Sequence, residues 1–302
     1  MLHQIGVGVL GPLFRTYEPS RDRLVAVKVF RLSVTPEQAG ALVDELSRVV
    51  DVGLEHATIV APIAAGLTGM TPYLAQEYVT GETLDVAMRQ YAPGPLETTL
   101  PFITQLASAI DYACAAGVSH GALHPRDVFL TSELARATGF GVVAALERVG
   151  LRGPVRRPYS APERIAGQPW GPAADIFALA AIAFELLTGR RPAGTGEQVV
   201  ALLGDIGGTT DQPAFRRAFA TALADDPAER YRSAQEFAHA LVVAAGIEEP
   251  VVPGVAASEE GPLEQTEERW AETLRDDQVD EPVPADVDRA LPAPSALFEL
   301  QS

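Results

Sequence analysis

The loop Val118 to Thr131 reads V-S-H-G-A-L-H-P-R-D-V-F-L-T, and the assignment of the whole chain starts from it. Apolar residues at helical spacing over Leu100 to Ala115 lead into the loop, and a short apolar run follows Pro125. This pattern predicts a tight, proline-containing loop between a helix and a short strand. The role of the loop therefore depends on the segments that flank it.

Composition limits the kind of protein to which such a loop can belong. The chain has 302 residues, 47% of them hydrophobic, which is enough for a sizeable core. Its single cysteine, Cys114, excludes an internal disulfide and a multi-cysteine zinc site, and is expected to be a small buried apolar residue. No apolar run of about 18 residues and no secretory signal pattern occurs, so we expect a cytoplasmic protein without a membrane span.

The net charge of −17 is concentrated at one end of the chain. Residues 248–302 hold 15 Asp and Glu against three Arg, a net −12. This segment is also rich in Pro, Ala and Val and lacks periodicity, which predicts a solvated, largely disordered tail. Because no basic surface is indicated, nucleic acid is not an expected partner.

A glycine-rich segment opens the chain. Residues 1–30 are predicted to form two strands joined by a glycine turn and a polar hairpin. The glycine turn contains Gly6, Gly8 and Gly11. Glycines let the backbone approach phosphate oxygens, and Lys28 on the following strand could add a positive charge beside them. No helix follows the glycines, which argues against a dinucleotide-binding fold.

With V-A-V-K at residues 25–28, this segment resembles the glycine-rich loop and lysine strand of protein kinases. Further segments in the same order extend the resemblance over residues 2–246. They are a helix at 35–50, H-A-T-I-V at 56–60, P-Y-L-A-Q-E-Y-V-T-G at 72–81, A-P-E at 161–163, an apolar helix from 173 to Gly189, and a helix from the capping box Ser233–Glu236 to Gly246.

The resemblance implies an α+β, two-lobed protein-kinase-like fold. A small β-rich lobe would occupy residues 1–80, a larger and mainly helical lobe residues 81–247, and the acidic tail residues 248–302. It also implies an ATP site: Lys28 paired with Glu45 near the phosphates, Ala26 and Leu13 above a purine, Phe129 beneath it, and the backbone of Glu77 to Val79 beside the adenine.

The same resemblance shows what is missing from the opening loop. Where kinases have H-R-D-L-K-P-x-N, this chain has His120-Gly121-Ala122-Leu123-His124-Pro125-Arg126-Asp127. Ala122 therefore occupies the position of the catalytic base, His124 that of the lysine near the transferring phosphate, and Asp127 remains the residual metal candidate. Gly139-Phe140-Gly141 stands in place of D-F-G, so the magnesium-binding carboxylate is absent as well.

Positions with structural roles in the family are retained. His120 and Phe140 would stack between the lobes, Asp175 would support the loop backbone, and Arg230 would pair with Glu163. The simpler alternative for these residues is that they only form ordinary core and lobe contacts.

These observations predict a pseudokinase. Losing a general base alone costs about 10²- to 10⁴-fold in rate, which could leave measurable activity, so the missing metal ligand is the stronger argument. We therefore expect a regulatory or scaffolding protein that binds another signalling protein, with ATP as a weak, metal-independent ligand and magnesium not expected.

One alternative is an active serine/threonine kinase, or another ATP-dependent transferase, that uses non-standard carboxylates. A second is an adaptor that binds a partner through the tail, by a helix at Pro262 to Asp276 or the apolar patch Ala296 to Leu300.

Overall fold

An antiparallel sheet of five strands forms the N-terminal part of the protein. The structure is a computed structural model that describes residues 3–131, 134–201, 203–204 and 211–247. The strands are β1 (His3–Gly8), β2 (Gly11–Glu18), β3 (Arg23–Val29), β4 (Pro62–Thr68) and β5 (Thr71–Glu77), in the spatial order β1-β2-β3-β5-β4. The predicted tail, with its helix and apolar patch, lies outside the described residues.

The first thirty residues form three strands, so the prediction of two was wrong. Gly6 and Gly8 lie within β1, and the chain turns at Val9 and Leu10 before Gly11 begins β2. A second turn at residues 19–22 joins β2 to β3, with Asp22 in the left-handed region at φ 47°. Glycines within β1 weaken the alternating pattern by which a strand is recognised, which explains why one strand was missed.

Helix α1 (Pro36–Asp51) packs on β4 and β5 of this sheet. Thr35 caps it: its hydroxyl accepts the N–H of Gln38, while the Gln38 side chain accepts the N–H of Thr35. Its buried face consists of Ala39, Leu42, Leu46 and Val49. Burying such side chains contributes about 1.5–3 kcal/mol for each large one, so this face holds the helix on the sheet.

The C-terminal part is mainly helical. Its longer helices are α2 (Leu84–Tyr91), α3 (Leu96–Ala115), α6 (Ala173–Thr188), α8 (Gln212–Ala222) and α9 (Ala234–Ala245), and its shorter ones are α4 (Val142–Arg148), α5 (Pro162–Ile165) and α7 (Gly196–Val200). A small sheet of β6 (Glu82–Thr83), β7 (Val128–Leu130) and β8 (Ala135–Ala137), in that order, borders them. The predicted α+β, two-part architecture is confirmed.

Helix α6 forms the centre of this part. Twelve of its sixteen residues are buried, and it ends where Gly189 adopts φ 65°. A helix that is apolar on every side can only be stable inside a protein, which is what its sequence predicted. Within the described ranges, no helix is both long and apolar enough to cross a bilayer.

Candidate functional site

The opening loop lies between α3 and β7, with α6 beneath it. The carboxylate of Asp175, buried in the first turn of α6, accepts the backbone N–H of His120 at 2.7 Å and that of Gly121 at 2.6 Å. Two charge-assisted hydrogen bonds to consecutive amides hold the loop backbone in one conformation. The structure thus places Asp175 beneath the loop, where the family resemblance puts it.

His120 is a neutral, buried member of this loop. Its Nδ1 accepts the N–H of Ala122 at 3.3 Å, so its Nε2 carries the proton and donates to the carbonyl of Thr138 at 2.8 Å. Its ring meets that of Phe140 edge to face, with centroids 5.2 Å apart. Burial lowers the pKa of His120, which favours the uncharged form. These contacts tie the loop to the segment around Phe140.

Arg156 occupies the centre of the site, and its partners were not foreseen from the sequence. Its Nη1 donates to Asp127 Oδ1 at 3.3 Å, and its Nη2 donates to Asp127 Oδ2 and to the carbonyl of Ala122. Its backbone N–H donates to Ser160 Oγ at 2.8 Å. Asp127, the residual metal candidate, is therefore engaged by a guanidinium.

The donors around the loop do not fit a magnesium ion. Ala122 and Gly139 offer no side-chain oxygen, and the carboxylate of Asp127 is held by Arg156. No group of three or more His, Cys, Asp or Glu side chains suited to a metal occurs in the part of the chain that the structure describes. Magnesium needs oxygen ligands in near-octahedral arrangement, and one ion-paired carboxylate does not supply them.

Two glycines at positions where kinases carry functional side chains adopt left-handed backbones. Gly121 has φ 74°, and a Cβ there would lie 2.4 Å from the Trp170 ring. Gly139 has φ 94°, and a Cβ there would lie 3.4 Å from His120 Nε2. A residue with a side chain pays about 1–2 kcal/mol for this conformation, before any clash is counted. The local backbone thus disfavours restoring either side chain.

The predicted ion pair between Lys28 and Glu45 does not form in this structure. Glu45 instead pairs with Arg48 one turn along α1 and with Arg148 of α4, whose Nη1 lies 3.1 Å from Glu45 Oε2. The reason is packing: α4 lies against α1 and brings Arg148 to the glutamate. In this structure Glu45 is therefore paired with arginines, and its predicted role in the nucleotide site stays a prediction.

Lys28 faces Asp127 and Arg156 instead. It lies on β3 opposite Leu13 and Leu74. Burial lowers the pKa of Lys28, the charge of Asp127 opposes this shift, and that of Arg156 adds to it. Among the described residues, none forms a hydrogen bond or ion pair with its ammonium group. The amino group of Lys28 thus lies beside the Asp127–Arg156 pair, and burial disfavours its charged form.

The residues predicted to surround a purine line one cavity. Leu13, Ala26, Gln76, Glu77, Tyr78, Val79 and Phe129 all border it, together with Ile5 and Thr138, which were not predicted. Its volume is about 20 Å³, which suits roughly one water molecule. An adenine ring can therefore enter only if the cavity widens. Gly6, Gly8 and Gly11 lie at the β1–β2 hairpin next to it, where Val7 and Val9 are 70% and 73% exposed.

Arg136 fixes one wall of this cavity and was also missed. Its two Nη atoms donate to the two carboxylate oxygens of Glu77 at 2.7 and 2.8 Å. It also donates to the carbonyls of Ala57 and Ile59, each at 3.0 Å. The bidentate pair links β5 to β8, and no local pattern in the sequence indicates it.

His124 does not replace the positive charge of the lysine whose position it occupies. Burial is the main cause that lowers its pKa to about 4, with Arg156 nearby adding to the effect. Its ring meets that of Tyr159 edge to face at 4.7 Å, and its Nδ1 accepts the N–H of Arg126 at 3.0 Å. At neutral pH His124 is therefore an uncharged packing residue.

Glu163 and Arg230 form a buried clamp below the loop. The two Nη atoms of Arg230 donate to the two carboxylate oxygens of Glu163, both at 2.8 Å. The Arg230 side chain is 0% exposed and that of Glu163 is 5% exposed. This pair has the partners that the family resemblance implies, and it joins α5 to the segment before α9.

The fold and the site together define a two-lobed kinase domain. Residues 1–235 match the family model for the protein kinase domain, and the chain belongs to this family. Membership implies ATP as the nucleotide, usually with magnesium, and the donor set described above departs from that usual arrangement.

Similar proteins include bacterial serine/threonine kinases. The chain is 31% identical over 266 residues to serine/threonine-protein kinase PknJ of Mycobacterium tuberculosis, which covers 80% of this chain and 44% of PknJ. It is 32% identical over 188 residues to probable serine/threonine-protein kinase PknB of Lactococcus lactis, covering 60% of this chain and 30% of PknB. The chain thus matches less than half the length of either relative.

Solved structures agree with this assignment. The crystal structure of the Mycobacterium tuberculosis PknI kinase domain is 27% identical and superposes with a TM-score of 0.59, covering 79% of this chain and 92% of that domain. A mutant of the same domain gives a TM-score of 0.64 at 26% identity, covering 81% and 94%.

Proposed function

We propose that this protein is a pseudokinase, a kinase-fold signalling protein that regulates or scaffolds another signalling protein without transferring phosphate. The observation that carries the proposal is the engagement of Asp127 by Arg156. This carboxylate is the one that the loop retains, and its ion pair leaves it poorly able to accept a proton or to bind a metal.

The magnitudes support this proposal. A general base contributes about 10²- to 10⁴-fold, so a methyl group at Ala122 alone would leave a slow enzyme. The carboxylate missing at Gly139 removes the principal ligand of the metal that neutralises the developing charge on the phosphates. These two losses add to the pairing of Asp127, and each affects a different step of the chemistry.

ATP is the proposed ligand, bound weakly and without a metal. Five of the predicted contacts, Leu13, Ala26, Glu77, Val79 and Phe129, line one cavity, and Lys28 lies opposite Leu13 in the sheet. The cavity must widen to admit adenine, which costs part of the binding energy and favours weak binding.

The decisive experiment is a phosphoryl-transfer assay. The full chain is incubated with γ-labelled ATP, with magnesium or manganese, and with a generic acceptor protein, beside the Lys28→Met variant. We expect that neither the wild-type chain nor the acceptor protein takes up more label than it does in the reaction with Lys28→Met. Transfer by the wild type that disappears in Lys28→Met would overturn the proposal.

The second candidate is an active serine/threonine kinase that uses non-standard carboxylates. The names of the relatives favour it, because PknJ, 31% identical over 80% of this chain, is described as a serine/threonine-protein kinase. In that case Asp127 would have to leave Arg156 during turnover. The same assay separates the candidates: Asp127→Asn should then abolish transfer that the wild type shows.

A further inference from the structure

Arg156 and Lys28 bring two basic side chains to the place where the family resemblance puts the phosphates of a nucleotide. Lys28 lies on the strand beside the glycine hairpin, and Arg156 is bonded to Ala122 of the opening loop. Both are close enough to Asp127 for its charge to act on them. The carboxylate of Asp127 thus faces the guanidinium of Arg156 and the amino group of Lys28, whose charged form burial disfavours.

The hydrogen bonds of Arg156 are incomplete. Its Nη atoms are engaged by Asp127 and Ala122, but its Nε is buried and has no hydrogen-bond partner. Buried donors without a partner are rare in native proteins and call for an explanation. A planar guanidinium with a spare donor is well suited to phosphate oxygens.

The positions of these charges are unfavourable for a divalent cation. A metal at Asp127 would have to displace the guanidinium and would then lie beside both it and Lys28. The positive charges of the metal and of the guanidinium would repel each other strongly in a site of low dielectric constant. A nucleotide that carries no metal meets no such repulsion, since its phosphates bring only negative charge.

We propose that Arg156 is the built-in cation of this site: it neutralises the phosphates of a nucleoside triphosphate and keeps a divalent metal away from Asp127, so that ATP binds better without magnesium than with it. This inference rests on the nucleotide binding in the proposed function. It assigns the neutralisation of the phosphates to a residue of the segment before Ser160. This segment belongs neither to the glycine-rich hairpin nor to the strand that carries Lys28.

The test is isothermal titration of the full chain with ATP, once in EDTA and once in excess magnesium. For the wild type we expect a higher affinity in EDTA. Arg156→Gln should lose roughly tenfold in metal-free affinity, the loss of one charge-assisted contact, and should bind ATP better with magnesium than without it. The reversal of the metal preference is a result that a merely structural role would not give.

Arg157→Gln is the matched control. Arg157 is adjacent and exposed, so its substitution removes the same charge without touching Asp127. It should retain the wild-type preference for metal-free ATP. An Arg156→Gln variant that behaves like Arg157→Gln overturns the proposal, as does a wild type that needs magnesium.

Asp127→Asn provides a second approach if Arg156→Gln does not fold. It removes the carboxylate that competes for the guanidinium, so metal-free ATP should bind more tightly than to the wild type. Weaker metal-free binding by this variant contradicts the proposal.

The outcomes also separate this inference from the proposed function. Phosphoryl transfer by the wild type ends the pseudokinase proposal whatever the metal preference. Absence of ATP binding in both media overturns the inference and the nucleotide part of the proposed function, and leaves the scaffolding role. Tighter binding with magnesium, without transfer, overturns the inference and the metal-free part of the proposed ATP binding, and leaves the pseudokinase proposal in place.

Discussion

The buried pair Glu163–Arg230 gives the sharpest prediction for stability. Arg230 uses all its donors inside the protein: besides the two bonds to Glu163, its Nε donates to the carbonyl of Ala224 at 3.0 Å. Its Nη atoms also donate to the carbonyls of Ala173 at 2.9 Å and Asp225 at 3.2 Å. Since neither side chain is open to water, no solvent can replace a lost partner.

Substituting Glu163→Gln keeps the shape of the side chain but removes its charge. The guanidinium of Arg230 is then buried without a counter-ion, which costs about 3–5 kcal/mol. For a domain of this size each kcal/mol lowers the melting temperature by about 2–4 °C, so we expect a decrease of about 6–20 °C. The double variant Glu163→Leu/Arg230→Met should be less destabilised than either single variant, because no buried charge remains unpaired.

The measurement is urea unfolding followed by circular dichroism, with thermal melting beside it. The control is Arg89→Met, which breaks the exposed pair with Asp85, where Arg89 is 64% exposed; this should cost about 0–1 kcal/mol. If Glu163→Gln shifts the midpoint no more than Arg89→Met does, the buried charge is compensated in another way and the reasoning fails.

Three further predictions concern the site. The pKa of His124 is about 4 in the folded protein and has an ordinary value of 6.5, so the unfolded chain binds the proton more readily between these values and stability falls as the pH drops through this window. His124→Gln should therefore make the decrease of the urea midpoint from pH 7 to pH 5 smaller. An unchanged decrease would contradict this. Arg136→Met should cost about 1–3 kcal/mol because it leaves the carbonyl of the buried residue Ile59 without its donor, whereas Glu77→Gln should cost less than about 1 kcal/mol, since Glu77 is 44% exposed; equal midpoints in urea would refute the asymmetry. Gly121→Ala should lower the melting temperature by about 4 °C or more, because its φ of 74° and a Cβ 2.4 Å from the Trp170 ring are both unfavourable, and an unchanged melting temperature would show that the loop relaxes.

Local patterns in the sequence determined most of the fold. The cap at Ser233 and the stops at Gly189 and Gly246 each depend on a few neighbouring residues, and the structure contains all three. The uniformly apolar α6 likewise predicts its own burial. Where the local signal was weak, as in the glycine-rich β1, the prediction lost a strand.

The sequence by itself also determined which functional groups are missing, because an alanine at position 122 and a glycine at position 139 lack a carboxylate in any conformation. Only the tertiary structure decided the partners of the long charged side chains. Glu45 pairs with Arg148, 103 residues away, and Arg156 pairs with Asp127, 29 residues away. Exposed and half-exposed ion pairs are individually weak, so the packing of α4 on α1, and of the segment at Arg156 on the loop, selects among several possible partners. No local pattern contains that choice.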